Sequence, residues 1–313
     1  MQSLKGYHLY QIFHGHRAPF IAPLPPTLAF VLGGGGARGA LQIGAIQALI
    51  EAGIRPHLLV GSSIGAVNAA GLALWGLNAA GLQKLVQAWA DMAAAGLFDS
   101  LHSPVSLWRL LNRPAADPLQ GQVRAFLQSH GISPRLKFDD IIGIRLAVVA
   151  ADLNAGRPIV YSRPSQQPVL EALLASTALM PWFKPIEKDG KYLVDGGALS
   201  TLPIETALAL GASEVYALEL SDLSGSDDPS WGLGRLFGKL AGAVCQRQTD
   251  LEIALAEARG VTVHHIVLRG RETVPVWNFN RYQELITTGY ELTREHLDHH
   301  TTAGRVCPAG LQP

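Results

Sequence analysis

The chain has 313 residues, enough for one large α/β domain with a sizeable buried core or for two small domains. Its 25 basic and 25 acidic residues give a formal net charge of zero, which argues against binding of nucleic acid through bulk electrostatics. Two cysteines, Cys245 and Cys307, are too few for a disulfide framework and favour a reducing, cytoplasmic compartment.

The first part of the chain alternates between apolar strands and helices. Residues 1–26 are expected to form an irregular N-terminal arm that lacks the apolar run of a secretory signal. The patterning then predicts, in order, a strand over 27–32, a glycine loop over 33–36, a helix over 37–52 and a strand over 58–60. This alternation is typical of a parallel α/β sheet.

Residues 56–83 contain no charged side chain and are long enough to cross a bilayer. They nevertheless include five glycines and polar residues such as Ser62 and Asn68, and they begin as a strand. We therefore expect a buried central helix here and not a transmembrane helix.

The second part of the chain continues the same alternation. Residues 81–137 are predicted to form a helical insert over the sheet, with pieces near 81–95, 104–112 and 117–130. Further strands are predicted over 144–150, 158–161, 192–194, 214–220 and 261–268, and further helices over 167–176, 203–210, 233–258 and 280–300. Together these elements predict an α/β fold of three layers, α/β/α, around a mostly parallel central sheet.

The loop after the first strand has the pattern Gly34-x-Gly36-x-x-Gly39 and opens a helix. Glycine backbone and a helix N-terminus suit an anion, either a phosphate or a transient oxyanion. Dinucleotide binding would also need an acidic residue at the end of the next strand, and this chain has Ser63 there. Nucleotide binding is therefore disfavoured, and a purely structural glycine turn stays open.

Ser63 is the serine that carries glycine at both −2 and +2, as Gly61 and Gly65. In a nucleophile elbow the strand turns sharply into a helix, and small flanking residues let the backbone pass close to itself. An inert tight turn is the alternative. Gly36 and Ser63 lie 27 positions apart, so adjacent parallel strands would bring both loops to one edge of the sheet.

A serine needs a base to remove its proton, and two kinds of candidate exist. Asp195 follows an apolar strand and precedes Gly196 and Gly197, although an Asx-turn would explain the same pattern. A carboxylate is a weak base unless burial or hydrogen bonding tunes its pKa. His264 and His265 lie inside a predicted strand, where a structural role is the default expectation.

Three of these motifs together resemble the signatures of patatin-like phospholipases: the glycine loop with Arg38 and Gly39, the Ser63 elbow, and Asp195 with its two glycines. Residues 175–185 resemble a fourth block of the bacterial members, and residues 151–156 a further structural segment. The resemblance implies a dyad of Ser63 as nucleophile and Asp195 as base, without histidine. It also implies an oxyanion hole formed by the amides of Gly34, Gly35 and Gly36, and no metal or cofactor.

The resemblance also implies a domain plan and a partner. Residues 27–220 would form the patatin-like catalytic domain, residues 221–303 would complete it, and residues 304–313 would be a loose tail. The substrate would be a lipid ester, with peripheral membrane contact and no nucleic acid. A non-catalytic lipid-binding or interaction protein that retains the fold is the alternative. The oligomeric state is not predicted.

One helix is amphipathic enough to raise the question of a membrane surface. The segment that follows Trp231 has an apolar stripe at helical spacing, with basic residues beside it. The stripe consists of Leu233, Leu236, Phe237, Leu240 and Val244, and the basic residues are Arg235, Lys239 and Arg247. The stripe around Trp108, over 104–111, is a shorter candidate. Packing of such a stripe onto the sheet is the default expectation.

Overall fold

The computed structural model describes residues 27–98, 118–221 and 233–303. Eight strands lie in these ranges: β1 Leu28–Leu32, β2 Leu58–Ser62, β3 Arg145–Asp152, β4 Arg157–Tyr161, β5 Ile186–Lys188, β6 Lys191–Asp195, β7 Glu214–Ser221 and β8 Thr262–Arg269. The N-terminal arm, the helix predicted at 104–112 and the C-terminal tail lie outside the described residues. The predicted domain boundaries stay a prediction.

The described ranges also contain eight α-helices: α1 Ala40–Glu51, α2 Ile64–Trp75, α3 Ala79–Ala95, α4 Pro118–Ser129, α5 Val169–Ser176, α6 Ile204–Ala209, α7 Leu233–Ala258 and α8 Tyr282–Ala303. Short 3₁₀ turns occupy Gly36–Gly39, Phe138–Asp140, Gly196–Ala198 and Phe279–Arg281. The strand missed by sequence analysis is β5, which has only three residues and no apolar run.

All eight strands form one sheet, in which β3, β2, β1, β7 and β8 are successive neighbours, β4 and β6 also pair with β3, and β5 pairs with β6. The run from β3 to β8 is parallel, while β4, β5 and β6 join antiparallel. Helices cover both faces, with α1, α2, α3, α5 and α8 on one side and α6 and α7 on the other. The predicted three-layer, mostly parallel α/β fold is therefore confirmed.

The central strands read as continuous apolar runs because both of their faces are covered. In β1 and β2 the residues alternate between the two cores, so that Phe30 faces one core and Val31 the other. The parallel strands end together at one edge of the sheet, where the loops after β1 and β2 emerge. That edge positions the candidate site.

The uncharged stretch divides into β2, α2 and the start of α3, and α2 is buried along most of its length. None of the helices in the described ranges combines the length and the apolar character needed to cross a bilayer.

The expectation that the apolar stripe of α7 packs onto the sheet is wrong for its described side chains. Leu236, Leu240 and Val244 are 50%, 58% and 47% exposed. The buried residues of this helix, Thr249 and Glu252 among them, begin farther along it. Trp231 and the 104–111 stripe lie outside the described residues.

Candidate active site

The turn between β2 and α2 holds Ser63 in a strained conformation. Its φ of 55° and ψ of −128° lie where non-glycine residues are rarely found. A Cβ on Gly65 would overlap the carbonyl of Leu32, and a Cβ on Gly61 would lie 2.5 Å from the backbone of Ala66. The two glycines are therefore required by close backbone packing, which is the geometry of a nucleophile elbow.

β3 brings Ser63 and Asp195 together, although they lie 132 positions apart. One edge of β3 pairs with β4, so β2 and β6 share the other edge. β2 ends with Ser62 opposite Val149. β6 runs the other way and ends with Asp195 opposite the next residue, Ala150. The two strands therefore meet end to end, and their last residues become neighbours.

The side chains of Ser63 and Asp195 are hydrogen-bonded to each other. Ser63 Oγ donates to Asp195 Oδ2 at 2.6 Å, and Gly197 N donates to Asp195 Oδ1 at 2.8 Å. Burial raises the pKa of the Asp195 carboxyl to about 6, although the hydroxyl of Ser63 and the amide of Gly197 both lower it. This carboxylate is thus a stronger base than an ordinary aspartate, yet it is still mostly ionised at neutral pH.

The glycine loop lies beside Ser63, but its three amides are not equivalent. A Cβ on Gly34 would lie 3.1 Å from the Cβ of Ser63, which shows how closely the loop approaches. The Gly34 amide donates to the Thr201 carbonyl at 2.9 Å, so the expectation that it faces an oxyanion is wrong. The amides of Gly35 and Gly36 have no acceptor within the described part of the chain.

A buried polar network, which sequence analysis missed, holds this loop. Gln42 Nε2 donates to the Gly33 carbonyl at 2.9 Å, and Asn68 Nδ2 donates to the Gly39 carbonyl at 3.0 Å. Asn68 also bonds Gln42 and accepts from the Trp89 indole at 2.9 Å. A signal existed in the sequence for Asn68, which is an isolated polar residue in an otherwise apolar helix, whereas Gln42 shares its helix with Gln47 and Glu51.

Ser176 is a second residue whose role sequence analysis missed. It is fully buried at the end of α5. Its hydroxyl accepts from the Ser63 backbone amide at 2.9 Å and donates to the Val149 carbonyl at 2.6 Å. Ser176 thus ties the strained elbow to β3. Its presence in the fourth motif block was the available signal.

The remaining motif residues have structural contacts. Arg38 Nε donates to the Gly35 carbonyl at 3.2 Å and braces the loop. A Cβ on Gly39 would lie 2.7 Å from the Ile64 side chain, and a Cβ on Gly196 would overlap the Val149 carbonyl. These glycines allow the elements of the site to approach one another.

The two strand histidines are engaged elsewhere. His264 Nε2 lies 2.9 Å from Glu214 Oε1, and the ring stacks on Tyr216 with centroids 4.1 Å apart. His265 Nε2 lies 2.5 Å from Glu219 Oε2. Both are on β8, the last of the described strands on its side of the sheet, three positions from β2. Asp195, and neither histidine, contacts the Ser63 hydroxyl.

Ser63 opens into an apolar pocket of about 740 Å³, counted with its open mouth. α2, α3, α4 and the loops at 177–183 and 276–279 supply the lining, which includes Val67, Met92, Phe126, Phe183 and Trp277. Among the described residues, those that line it carry no charge. In the described ranges, no three His, Cys, Asp or Glu side chains cluster as metal ligands would. An apolar lining of this kind can accept a hydrocarbon chain.

Comparison with known proteins identifies one family. The sequence model of the patatin-like phospholipase family matches residues 30–208. An uncharacterized NTE family protein of Mycobacterium tuberculosis is 32% identical over 197 residues, or 63% of this chain and 49% of that protein. Human patatin-like phospholipase domain-containing protein 6 is 30% identical over 209 residues, or 66% of this chain and 14% of that protein. The chain spans about half the length of the mycobacterial relative.

Solved structures give looser matches. VipD from Legionella pneumophila is 18% identical with a TM-score of 0.46, over 88% of this chain and 67% of that chain. Human GIVD cytosolic phospholipase A2 is 10% identical with a TM-score of 0.48, over 89% and 59%. The assignment of the fold rests on the sheet order described above.

Proposed function

Because the chain belongs to the patatin-like phospholipase family, we propose that it hydrolyses fatty-acyl esters of lipids, with Ser63 as nucleophile and Asp195 as general base. The observation that carries the proposal is the 2.6 Å hydrogen bond from Ser63 Oγ to Asp195 Oδ2, next to a pocket whose described lining is apolar. A nucleophile in hydrogen-bonding reach of its base is the arrangement that covalent ester hydrolysis needs.

In the first step Ser63 Oγ attacks the ester carbonyl while its proton passes to Asp195. The tetrahedral intermediate then collapses, the C–O bond to the alcohol breaks, and Asp195 returns the proton to the leaving alkoxide. An acyl-serine remains. In the second step Asp195 takes a proton from water, which attacks the acyl-serine, and the fatty acid leaves as Ser63 regains its proton. A base with a pKa of about 6 suits both transfers.

The oxyanion of each intermediate would be held by the amides of Gly35 and Gly36. Their N–H groups have no acceptor in the described part of the chain, and they open the 3₁₀ turn beside Ser63. Removal of one such donor costs roughly 2.7–4 kcal/mol of transition-state stabilisation in comparable enzymes. Gly34 supports the hole indirectly, because its bond to the Thr201 carbonyl fixes the loop.

The substrate class follows from the pocket lining. An acyl chain can lie among the apolar side chains with its carbonyl at Ser63, and a polar head group would remain at the mouth. The described lining therefore favours recognition of the acyl chain over recognition of the head group.

Labelling with a fluorophosphonate, followed by mapping of the adduct, tests the proposal. We expect a single adduct on Ser63, none in Ser63→Ala, and loss of ester hydrolysis in both Ser63→Ala and Asp195→Asn. A folded parent protein that neither labels nor turns over short or long acyl esters would contradict the proposal and favour the lipid-binding alternative. Residual activity above a few per cent in folded Ser63→Ala would exclude that serine as the nucleophile.

A further inference from the structure

The first half of α7 presents apolar side chains away from the body of the protein. Leu236, Leu240 and Val244 are four residues apart, so at about 100° per residue they form one stripe. All three are about half exposed. The buried residues of the same helix, Thr249 and Glu252, lie on the roughly opposite side. The stripe therefore does not belong to the core.

This half of α7 stands at the edge of the sheet that carries Ser63. The helix connects β7 to the parallel strand β8, so it runs against the strands and begins at the edge where they end. Gln248 ties the helix to the body of the protein, because its Nε2 donates to the Ala198 carbonyl at 3.4 Å, close in sequence to Asp195. From Gln248 back to Leu236 the helix rises about 18 Å. The exposed stripe thus projects beyond the site.

The charge on the projecting half has one sign. Residues 236–248 contain Lys239 and Arg247 and no acidic residue, and both cations are exposed. Leu179, which lines the pocket, is 37% exposed, and the next residue along the chain, Met180, is 45% exposed. Apolar and basic groups therefore share the edge at which the pocket opens.

We propose that the projecting half of α7, residues 236–248, binds the surface of an anionic lipid bilayer. A helix with an apolar stripe and basic flanks lies in a membrane interface with the stripe buried and the cations near the head groups. A second copy of the chain fits less well, because a symmetric helix pair would bring Lys239 and Arg247 near their own copies without an acidic partner in the segment. As part of the proposed hydrolase, this contact would hold the pocket mouth against its substrate.

Sedimentation of the full chain with vesicles tests this surface. The probes are vesicles of phosphatidylcholine alone and of an equimolar mixture with phosphatidylglycerol. Leu240→Glu is compared with Ile142→Glu, which places the same charge at an exposed residue just before β3. Ile142 thus lies where the parallel strands begin, whereas Ser63 lies where they end. We expect Leu240→Glu to weaken binding to the mixed vesicles roughly tenfold, and Ile142→Glu to bind like the parent.

The parent should also bind the mixed vesicles more tightly than neutral ones, and Lys239→Gln should reduce that preference. Failure of the parent to bind either vesicle would overturn the inference. So would a dimeric parent that Leu240→Glu separates into monomers without any change in vesicle binding. If Leu240→Glu does not fold, Leu236→Glu replaces it, with thermal melting as the check.

Hydrolysis of a short, water-soluble ester is measured on the same samples, because it separates this inference from the proposed function. Leu240→Glu should retain that activity, since the residue lies outside the site. If the parent binds vesicles through Leu240 but does not hydrolyse the ester, the proposed hydrolase activity is refuted and the proposed membrane surface is supported. If the parent hydrolyses the ester but does not bind vesicles, the membrane surface is refuted and the hydrolase activity is supported.

Discussion

Asp195→Asn is expected to abolish hydrolysis and, at the same time, to stabilise the folded protein at alkaline pH. The carboxylate is buried, with hydrogen bonds from Ser63 Oγ and Gly197 N. Asparagine can accept from the Gly197 amide with its oxygen and donate to the Ser63 hydroxyl with its nitrogen. The substitution therefore removes a buried charge while leaving both contacts possible.

The magnitude follows from the pKa of Asp195. Folding raises this pKa from 3.8 to about 6, which means that the folded state disfavours the ionised carboxylate by about 3 kcal/mol of free energy. The folded protein binds this proton more tightly than the unfolded chain, so its stability falls as pH rises from about 4 to about 6 and stays low above that. Asp195→Asn lacks this loss. The free energy of unfolding of this variant should therefore exceed that of the parent by nearly 3 kcal/mol at about pH 8 and by only about 0.5 kcal/mol at about pH 4.

Thermal melting across this pH range measures the difference, which should be roughly 5 °C at about pH 8. Ser63→Ala is the matched control, because we also expect it to be inactive, while it keeps the buried carboxylate and removes one of its donors. It should be no more stable than the parent at about pH 8. The reasoning would be refuted if Asp195→Asn were less stable than the parent at about pH 8, or if its advantage did not depend on pH.

Four further predictions concern the same site. The kcat/KM for a water-soluble ester should rise with pH around a midpoint near 6, the pKa of Asp195, and a midpoint near 4 would contradict this. Gly34→Ala should lower activity more than stability, because its methyl group would crowd the Ser63 side chain. Gly35→Ala should lower both, since its Cβ would lie 2.8 Å from the side chain of Leu220 in the core. Equal melting temperatures for the two variants would argue against this. Ser176→Ala should lower kcat about tenfold with little change in KM, because the elbow amide loses its acceptor; an unchanged kcat would assign it a structural role only. His265→Ala should keep most of the activity. A folded but inactive variant would instead indicate a mechanism in which His265 takes part.

The sequence by itself determined the local geometry of the site. Glycine on both sides of Ser63, between an apolar strand and a helix, leaves the backbone few ways to turn, and a sharp turn from strand to helix forms at Ser63. The boundaries of α7 and of most strands were also readable, because apolar periodicity and turn residues act over a few neighbouring positions. The order of three motifs was specific enough to identify the family, which the match over 30–208 confirms.

Tertiary structure decided what depends on distant neighbours. Asp195 reaches Ser63 because β2 and β6 meet on one edge of β3, and its raised pKa comes from burial at that junction. The direction of the Gly34 amide depends on the Thr201 carbonyl, which no glycine pattern encodes. For α7, periodicity shows that an apolar stripe exists but not what covers it, and only the packing of the helix shows that Leu240 faces outward. Local chain geometry is fixed by neighbouring residues, whereas burial, register and exposure are fixed by segments far apart in the sequence.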